Sequence, residues 1–211
     1  MNKLKISRII AGLSVTVGLM VMVGWYFDIV ILTSILPQMI RMKVATALCF
    51  VFSGIIIYFL SFEKEEKKEI NQIVLTVFPM LLVLIMGTLF LGSVFGFQTG
   101  MENISFFDIH ELKTPIFQGR PSVLSMISFL LIAFIGLLFN INKPSKNTFT
   151  VIGLIVATIG LVGVLGYITH IPFLYYEIAG FSNAIALHTT ILFSFLGLSI
   201  FLIGNEKNNN L

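Results

Sequence analysis

The sequence predicts an all-α fold: a polytopic membrane helical bundle of six transmembrane helices built as three tandem hairpins. Three observations carry this expectation. Of the 211 residues, 57% are hydrophobic and only 11% charged, whereas about a quarter of the residues of a soluble domain carry charge. Six windows contain no charged residue at all: 9–27, 44–62, 70–101, 121–142, 147–176 and 178–205. Each can supply the roughly 20 apolar residues that a helix needs to cross about 30 Å of hydrocarbon. The third observation is a pattern shared by the even-numbered windows, set out below.

Taken in order, residues 1–8 form a short basic tail and span 1 runs from about Ile9 to Tyr26. The apolar run is too long for a signal peptide and offers no small-residue cleavage site before Asp28. Residues 28–43, DIVILTSILPQMIRMK, are too short to span and are interrupted by Pro37, which suits a surface-lying or re-entrant piece. Span 2, about Val44 to Phe62, runs into the charged stretch EKEEKKE, expected as a solvated helical extension or loop. Span 3, about Ile73 to Phe95, contains Pro79, whose missing amide hydrogen permits a kink. The polar loop 97–120 is long enough for a lid or binding loop. Span 4 (about 121–141), the turn NKPSKN, span 5 (about 149–168), a turn at about 171–183 and span 6 (about 184–203) complete one domain over 1–211. Its hairpins cover about 9–62, 73–141 and 149–203.

Lysine and arginine set the expected orientation. With six spans, Lys3, Lys5, Arg8, Lys64, Lys67, Lys68, Lys143, Lys146 and Lys207 share one side, against Arg41, Lys43, Lys113 and Arg120 on the other. This bias places both termini in the cytoplasm and the protein in the plasma membrane. The bilayer therefore accounts for the net charge of +3 without a nucleic-acid partner. The single cysteine, Cys49, excludes an intramolecular disulfide and reads as a small buried apolar residue.

The even spans align as RMKVATALCFVFSG from Arg41, RPSVLSMISFLLIA from Arg120 and AIALHTTILFSFLG from Ala184. Thr46, Ser125 and Thr189 coincide, as do Phe50, Phe129 and Phe193, and then Gly54, Ala133 and Gly197. The odd spans end in Gly24-Trp25, Gly96-Phe97 and Gly166-Tyr167. The repeating unit is a hairpin, and three in tandem predict parallel repeats about an axis along the membrane normal. Small residues and hydroxyls are common at helix interfaces in lipid, but that does not account for a shared register. In this register His188 replaces Ala45 and Leu124. Four residues on from the glycines, His170 replaces Asp28 and Gly100.

GYITHIPFLYYEIAGFSNAIALHTTILFSFLGLSIFL, from Gly166, resembles the last hairpin of a six-span module at the N-terminus of many bacterial and archaeal histidine kinases and diguanylate cyclases. The resemblance rests on Gly166-Tyr167, Leu174-Tyr175 and Ala186-Leu187-His188-Thr189, and MKVATALCFVFSG from Met42 resembles the family's second span. It covers most of the chain, although the motifs are short. It implies a sensory input module coupled to a PAS, kinase or cyclase domain, and a homodimer would suit such a role. Thr190 stands where the family has alanine, and no such domain follows Leu211. The chain is then either a fragment or a module acting through a partner. His170 lies outside the family pattern.

His170 and His188 flank the last turn on neighbouring antiparallel spans. A titratable ring in an apolar segment is a functional hypothesis by default. Neutral imidazoles could ligate haem b from two sides, with Tyr167 and Tyr175 among the enclosing aromatics and Arg41 and Arg120 on the propionates. Zinc or copper is the alternative metal, with Asp108, His110, Glu111 or Glu177 as further ligands. The opposing readings are imidazoles satisfied by hydroxyl or backbone partners, and arginines that snorkel to headgroups.

The function expected is a sensory input module binding a ligand or haem at the outer half of the third hairpin. Its alternatives are a haem-binding electron-transfer protein and a small transporter, the latter disfavoured by the lack of mid-span carboxylates. No nucleophile–base pair, phosphate loop or metalloprotease motif supports an enzyme.

Overall fold

A computed structural model of the chain describes residues 3–35, 39–62, 68–100, 120–141, 144–175 and 183–207. Among them are seven α-helices and no strand: α1 Lys3–Tyr26, α2 Val30–Thr33, α3 Val44–Leu60, α4 Lys68–Phe95, α5 Val123–Ile141, α6 Lys146–Thr169 and α7 Leu187–Lys207. A 3₁₀ turn, Pro172–Tyr175, follows α6. Five helices, α1, α4, α5, α6 and α7, are long and apolar enough to cross a membrane, and α3 is an apolar helix of 17 residues.

Consecutive long helices pack as pairs, α1 with α3, α4 with α5 and α6 with α7, and α1 closes the bundle against α7. The second member of each pair lies inside. Phe50 of α3, Phe129 of α5 and Phe193 of α7 are fully buried, and their ring centroids lie 4.9 Å apart in all three pairings. The first members lie outside and turn bare hydrocarbon outward: Ile9 and Leu13 on α1, Ile73 and Met80 on α4, Leu154 and Leu161 on α6. An apolar exterior of this extent belongs against lipid, because a soluble monomer seldom exposes a contiguous apolar patch above a few hundred Å².

Close backbone approach holds the first and last pairs together, and it requires glycine. A Cβ on Gly18 would lie 2.7 Å from the Ala47 carbonyl oxygen, and one on Gly160 would lie 2.6 Å from that of Thr190. From the facing helices, a Cβ on Gly54 would lie 2.6 Å from the Ala11 carbonyl oxygen, and one on Gly197 2.6 Å from that of Gly153. Without a hydrophobic drive between helices in lipid, such contacts carry much of the association.

The start of α1 and the end of α7 meet at one end of the bundle. Lys3 Nζ lies 3.9 Å from Glu206 Oε2, and the Ser7 hydroxyl donates to the Ser199 carbonyl at 3.2 Å. Arg8 donates to the Ser61 carbonyl and hydroxyl and stands over the Phe62 ring.

Several boundaries differ from expectation. Helix α1 begins at Lys3, because its basic residues extend the helix beyond the apolar window. Helix α4 passes through Pro79 unbroken, with Gly136 leaving room for the proline ring. The piece at 28–43 contains the single turn α2, and Pro37 lies outside the described residues. So do 63–67 of the charged stretch and 101–119 of the polar loop, which hold Asp108, His110, Glu111 and Lys113, as well as Glu177. Arg120, counted with that loop, is buried at 2% exposure.

Candidate functional site

At the end opposite the termini, helices α3, α5 and α7 begin at matching positions of the aligned segments. Their first intrahelical bonds run from the amides of Ala47, Met126 and Thr190 to the carbonyls of Lys43, Ser122 and Ala186, at 3.0, 3.0 and 3.1 Å. The amides of a first helical turn have no intrahelical acceptor and leave a partial positive charge there. Ser122 caps α5 by accepting from the Ser125 amide at 3.2 Å. Lys43 supplies no such cap to α3, and the alanine side chain at 186 has no acceptor to offer α7.

The outer helices end alike. The carbonyls of Gly24, Gly92 and Gly166 accept from the amides five residues on, Ile29, Phe97 and Ile171, at 2.8, 3.1 and 3.0 Å. The residue before each donor is left-handed: Asp28 (φ 51°), Gly96 (φ 71°) and His170 (φ 55°). This is the Schellman helix end. It corrects the register: the counterpart of Gly24 and Gly166 in the second hairpin is Gly92, not Gly96, and the counterpart of His170 is Gly96, not Gly100. The Gly-Phe pair at 96–97 lies one helical turn beyond the position it was taken to share.

The first and third hairpins continue in parallel. Trp25 Nε1 donates to the Met42 carbonyl at 2.8 Å, and the Tyr167 hydroxyl donates to the Ile185 carbonyl at 2.6 Å. The Met42 amide donates to Thr33 O at 2.8 Å and the Ile185 amide to Tyr175 O at 3.0 Å. In the second hairpin Arg120 takes over this bracing, donating to the carbonyls of Gly92 at 3.0 Å and Phe97 at 2.5 Å.

Between these ends lies a cavity of about 290 Å³ lined by residues 40–43 and 46, 120–122 and 125, and 183–186 and 189. Arg41, Lys43 and Arg120 line it, and no carboxylate does among the described lining residues. Thr46, Ser125 and Thr189 form its floor one helical turn before the phenylalanine triad, and all three are at least nine-tenths buried. Ser125 is engaged by Ser122 at 2.7 Å. The hydroxyls of Thr46 and Thr189 have no hydrogen-bond partner among the described residues. Asn183 donates to the Arg120 carbonyl at 2.8 Å and closes the third side.

No family model, curated protein or solved structure matches the chain.

Of the residues singled out in the sequence, Arg41 and Arg120 are brought together in this cavity, and neither histidine lines it. Arg41 is half-buried, 3.8 Å from Asp28, and its guanidinium stands 5.8 Å from the Trp25 ring. Tyr167 and Tyr175 stack on each other at 4.6 Å and brace the last turn. His170 is exposed at the end of α6, where its backbone supplies the left-handed residue; histidine is among the few non-glycine types enriched there. His188 lies near the Thr33 backbone of the first hairpin, outside hydrogen-bonding geometry, with both ring nitrogens buried and unpartnered among the described residues. The described residues contain no cluster of three or more His, Cys, Asp or Glu side chains that could hold a metal ion.

Lys43, Thr46, Ser122, Ser125, Asn183 and Thr189 line the cavity but were not among the site residues expected from the sequence. The signal was present in the aligned segments, since the lining positions are one stretch taken three times.

Proposed function

We propose that the chain is a six-span membrane sensory module of three tandem hairpins, with its ligand site in the axial cavity. The observation that carries this reading is the lining itself: matching positions of three segments meet around one cavity, directly above a ring of three equivalent phenylalanines. Helix α3 counts as the sixth span because 17 residues rise about 25 Å, near the lower limit for crossing. The positive-inside bias puts the termini in the cytoplasm and the cavity at the outer face of the plasma membrane.

Helix α7 supports the sensory role. It begins at the cavity with Thr189 and ends at the terminal face, where Ser199 meets Ser7 and Glu206 meets Lys3. A ligand that prefers one packing of α7 over another would shift the terminal contacts, since only differential affinity moves such an equilibrium. The resemblance to kinase and cyclase input modules agrees with a signal leaving at this end. The Gly166-Tyr167 and Leu174-Tyr175 pairs of that resemblance build the turn that seats α7.

The test is a cysteine pair, Lys3→Cys with Glu206→Cys, whose disulfide formation reports the α1–α7 seam. Filling the cavity with Thr189→Met is expected to change the rate several-fold. An unchanged rate, with the bundle intact by thermal melting, would remove the sensory reading.

A further inference from the structure

We infer that the axial cavity binds a small oxyanion, a carboxylate or phosphate group. This rests on the cavity being the ligand site of the module. Three helix N-termini, of 17, 19 and 21 residues, converge on it, and each presents first-turn amides together with the positive end of its dipole. Arg41, Lys43 and Arg120 add full charges from two sides. The planar guanidinium matches an oxyanion through paired hydrogen bonds.

The second, independent observation lies in the floor. Thr46 at 4% exposure and Thr189 at 2% line the cavity, and neither side chain has a hydrogen-bond partner among the described residues. These two hydroxyls share the cavity lining with three cations, and an oxyanion supplies the acceptor for both kinds of donor. A cation finds no carboxylate among the described lining residues, and an apolar ligand would leave the hydroxyls unsatisfied at a cost. A volume of about 290 Å³ lies at the lower end of ligand sites and suits a small molecule or a single headgroup.

Asp28 competes with the anion for Arg41. It reaches Arg41 at 3.8 Å from an 84% exposed position, so an incoming anion takes a share of Arg41 from a solvated carboxylate. This exposed pair is weak and screened by salt.

The single tryptophan provides the assay. Trp25 bonds the carbonyl of Met42 and neighbours Arg41, both cavity residues, so its emission reports occupancy. The purified full chain in neutral detergent is titrated with inorganic phosphate and with acetate at constant ionic strength, and native mass spectrometry records retained phospholipid. A saturable change in emission identifies a soluble anion. One retained phospholipid per chain, with no response to added phosphate or acetate, identifies a lipid headgroup as the source of the same group.

In either case Thr189→Val and Arg41→Gln should each weaken binding about tenfold, as expected for one hydrogen bond to a charged group. Lys146→Gln, at the opposite end, should leave it unchanged. Arg120→Gln is a less suitable variant because Arg120 also braces Gly92 and Phe97. If neither soluble anion nor phospholipid binds, or if binding survives both cavity variants, the oxyanion assignment is overturned. The cysteine-pair result is read independently, so loss of the anion and loss of the module reading are distinguishable.

Discussion

The phenylalanine triad offers the sharpest test of the internal symmetry. Replacing Phe129 by alanine empties the centre of the bundle, where the ring is fully buried and contacts both Phe50 and Phe193 at 4.9 Å. Each aromatic contact is worth about 1 kcal/mol, and the cavity and lost dispersion add about 2–3 kcal/mol. The water-transfer share of a soluble-core value is withheld, since helices in lipid are not driven together by water. The expected loss is about 4–5 kcal/mol, and Phe50→Ala and Phe193→Ala should match it within about 1 kcal/mol because each removes two equal contacts. Double variants should fall short of the sum by about 1 kcal/mol, because each pair shares one contact. Phe134→Ala, at a ring 50% exposed, is the control and should cost little. Unfolding of the detergent-solubilised protein by a denaturing detergent measures these values. Strict additivity, or one triad member that can be removed freely, would refute a symmetric core.

Substitutions at His170 and Gly197, with Gly12 as a control, test the helix ends and seams. His170→Gly should stabilise by up to about 1 kcal/mol, since glycine adopts the left-handed conformation without a Cβ penalty, and His170→Val should destabilise by about 1–2 kcal/mol; thermal melting reads both. If His170 instead ligates haem with His188, a Soret band in the purified protein would be lost in His170→Gly, and absorption spectroscopy decides. Gly197→Ala should cost about 3 kcal/mol, because the added methyl meets the Gly153 and Ala157 backbone, which cannot turn aside. Gly12→Ala, with open space around it, should be neutral or slightly stabilising by helix propensity, as melting of both variants would show.

The helical class was legible because composition and charge-free windows depend on the solvent a helix meets, and the bilayer leaves a strong imprint on both. The register of the inner helices was legible too. Thr46, Ser125 and Thr189 were aligned by residue type alone, and all three line one cavity. The outer helices misled because the glycine was paired with its following aromatic. What recurs there is backbone geometry, a left-handed residue four positions after a carbonyl that accepts from the fifth; Asp28, Gly96 and His170 all belong to the types that tolerate this conformation, but their side chains differ too much to align by residue type. The left-handed backbone of His170 was not legible for the same reason, since its imidazole drew the reading to the side chain.

Differences among the three helix pairs give the cavity its character. Hairpins one and three brace their inner helix with an aromatic donor, Trp25 or Tyr167, onto the carbonyl of Met42 or Ile185. The second hairpin has Ser93 at that position, and Ser93 bonds back to Leu89. Arg120 supplies the missing brace, and in doing so a buried guanidinium is held at the cavity wall by two carbonyls. Its aligned counterpart Arg41 is instead shared with exposed Asp28, and the third position is Ala184. At this aligned position the three segments therefore supply one fixed cation, one displaceable cation and one small residue, with Lys43 as a further cation of the lining. A strictly threefold site would favour a ligand centred on the axis. This arrangement favours one anchored by Arg120 and reached by Arg41 as it leaves Asp28, so Asp28→Asn should strengthen anion binding while Arg41→Gln weakens it. The two changes measured together in Trp25 titrations would show whether the ion pair gates the cavity; equal affinities in wild type and Asp28→Asn would exclude that role.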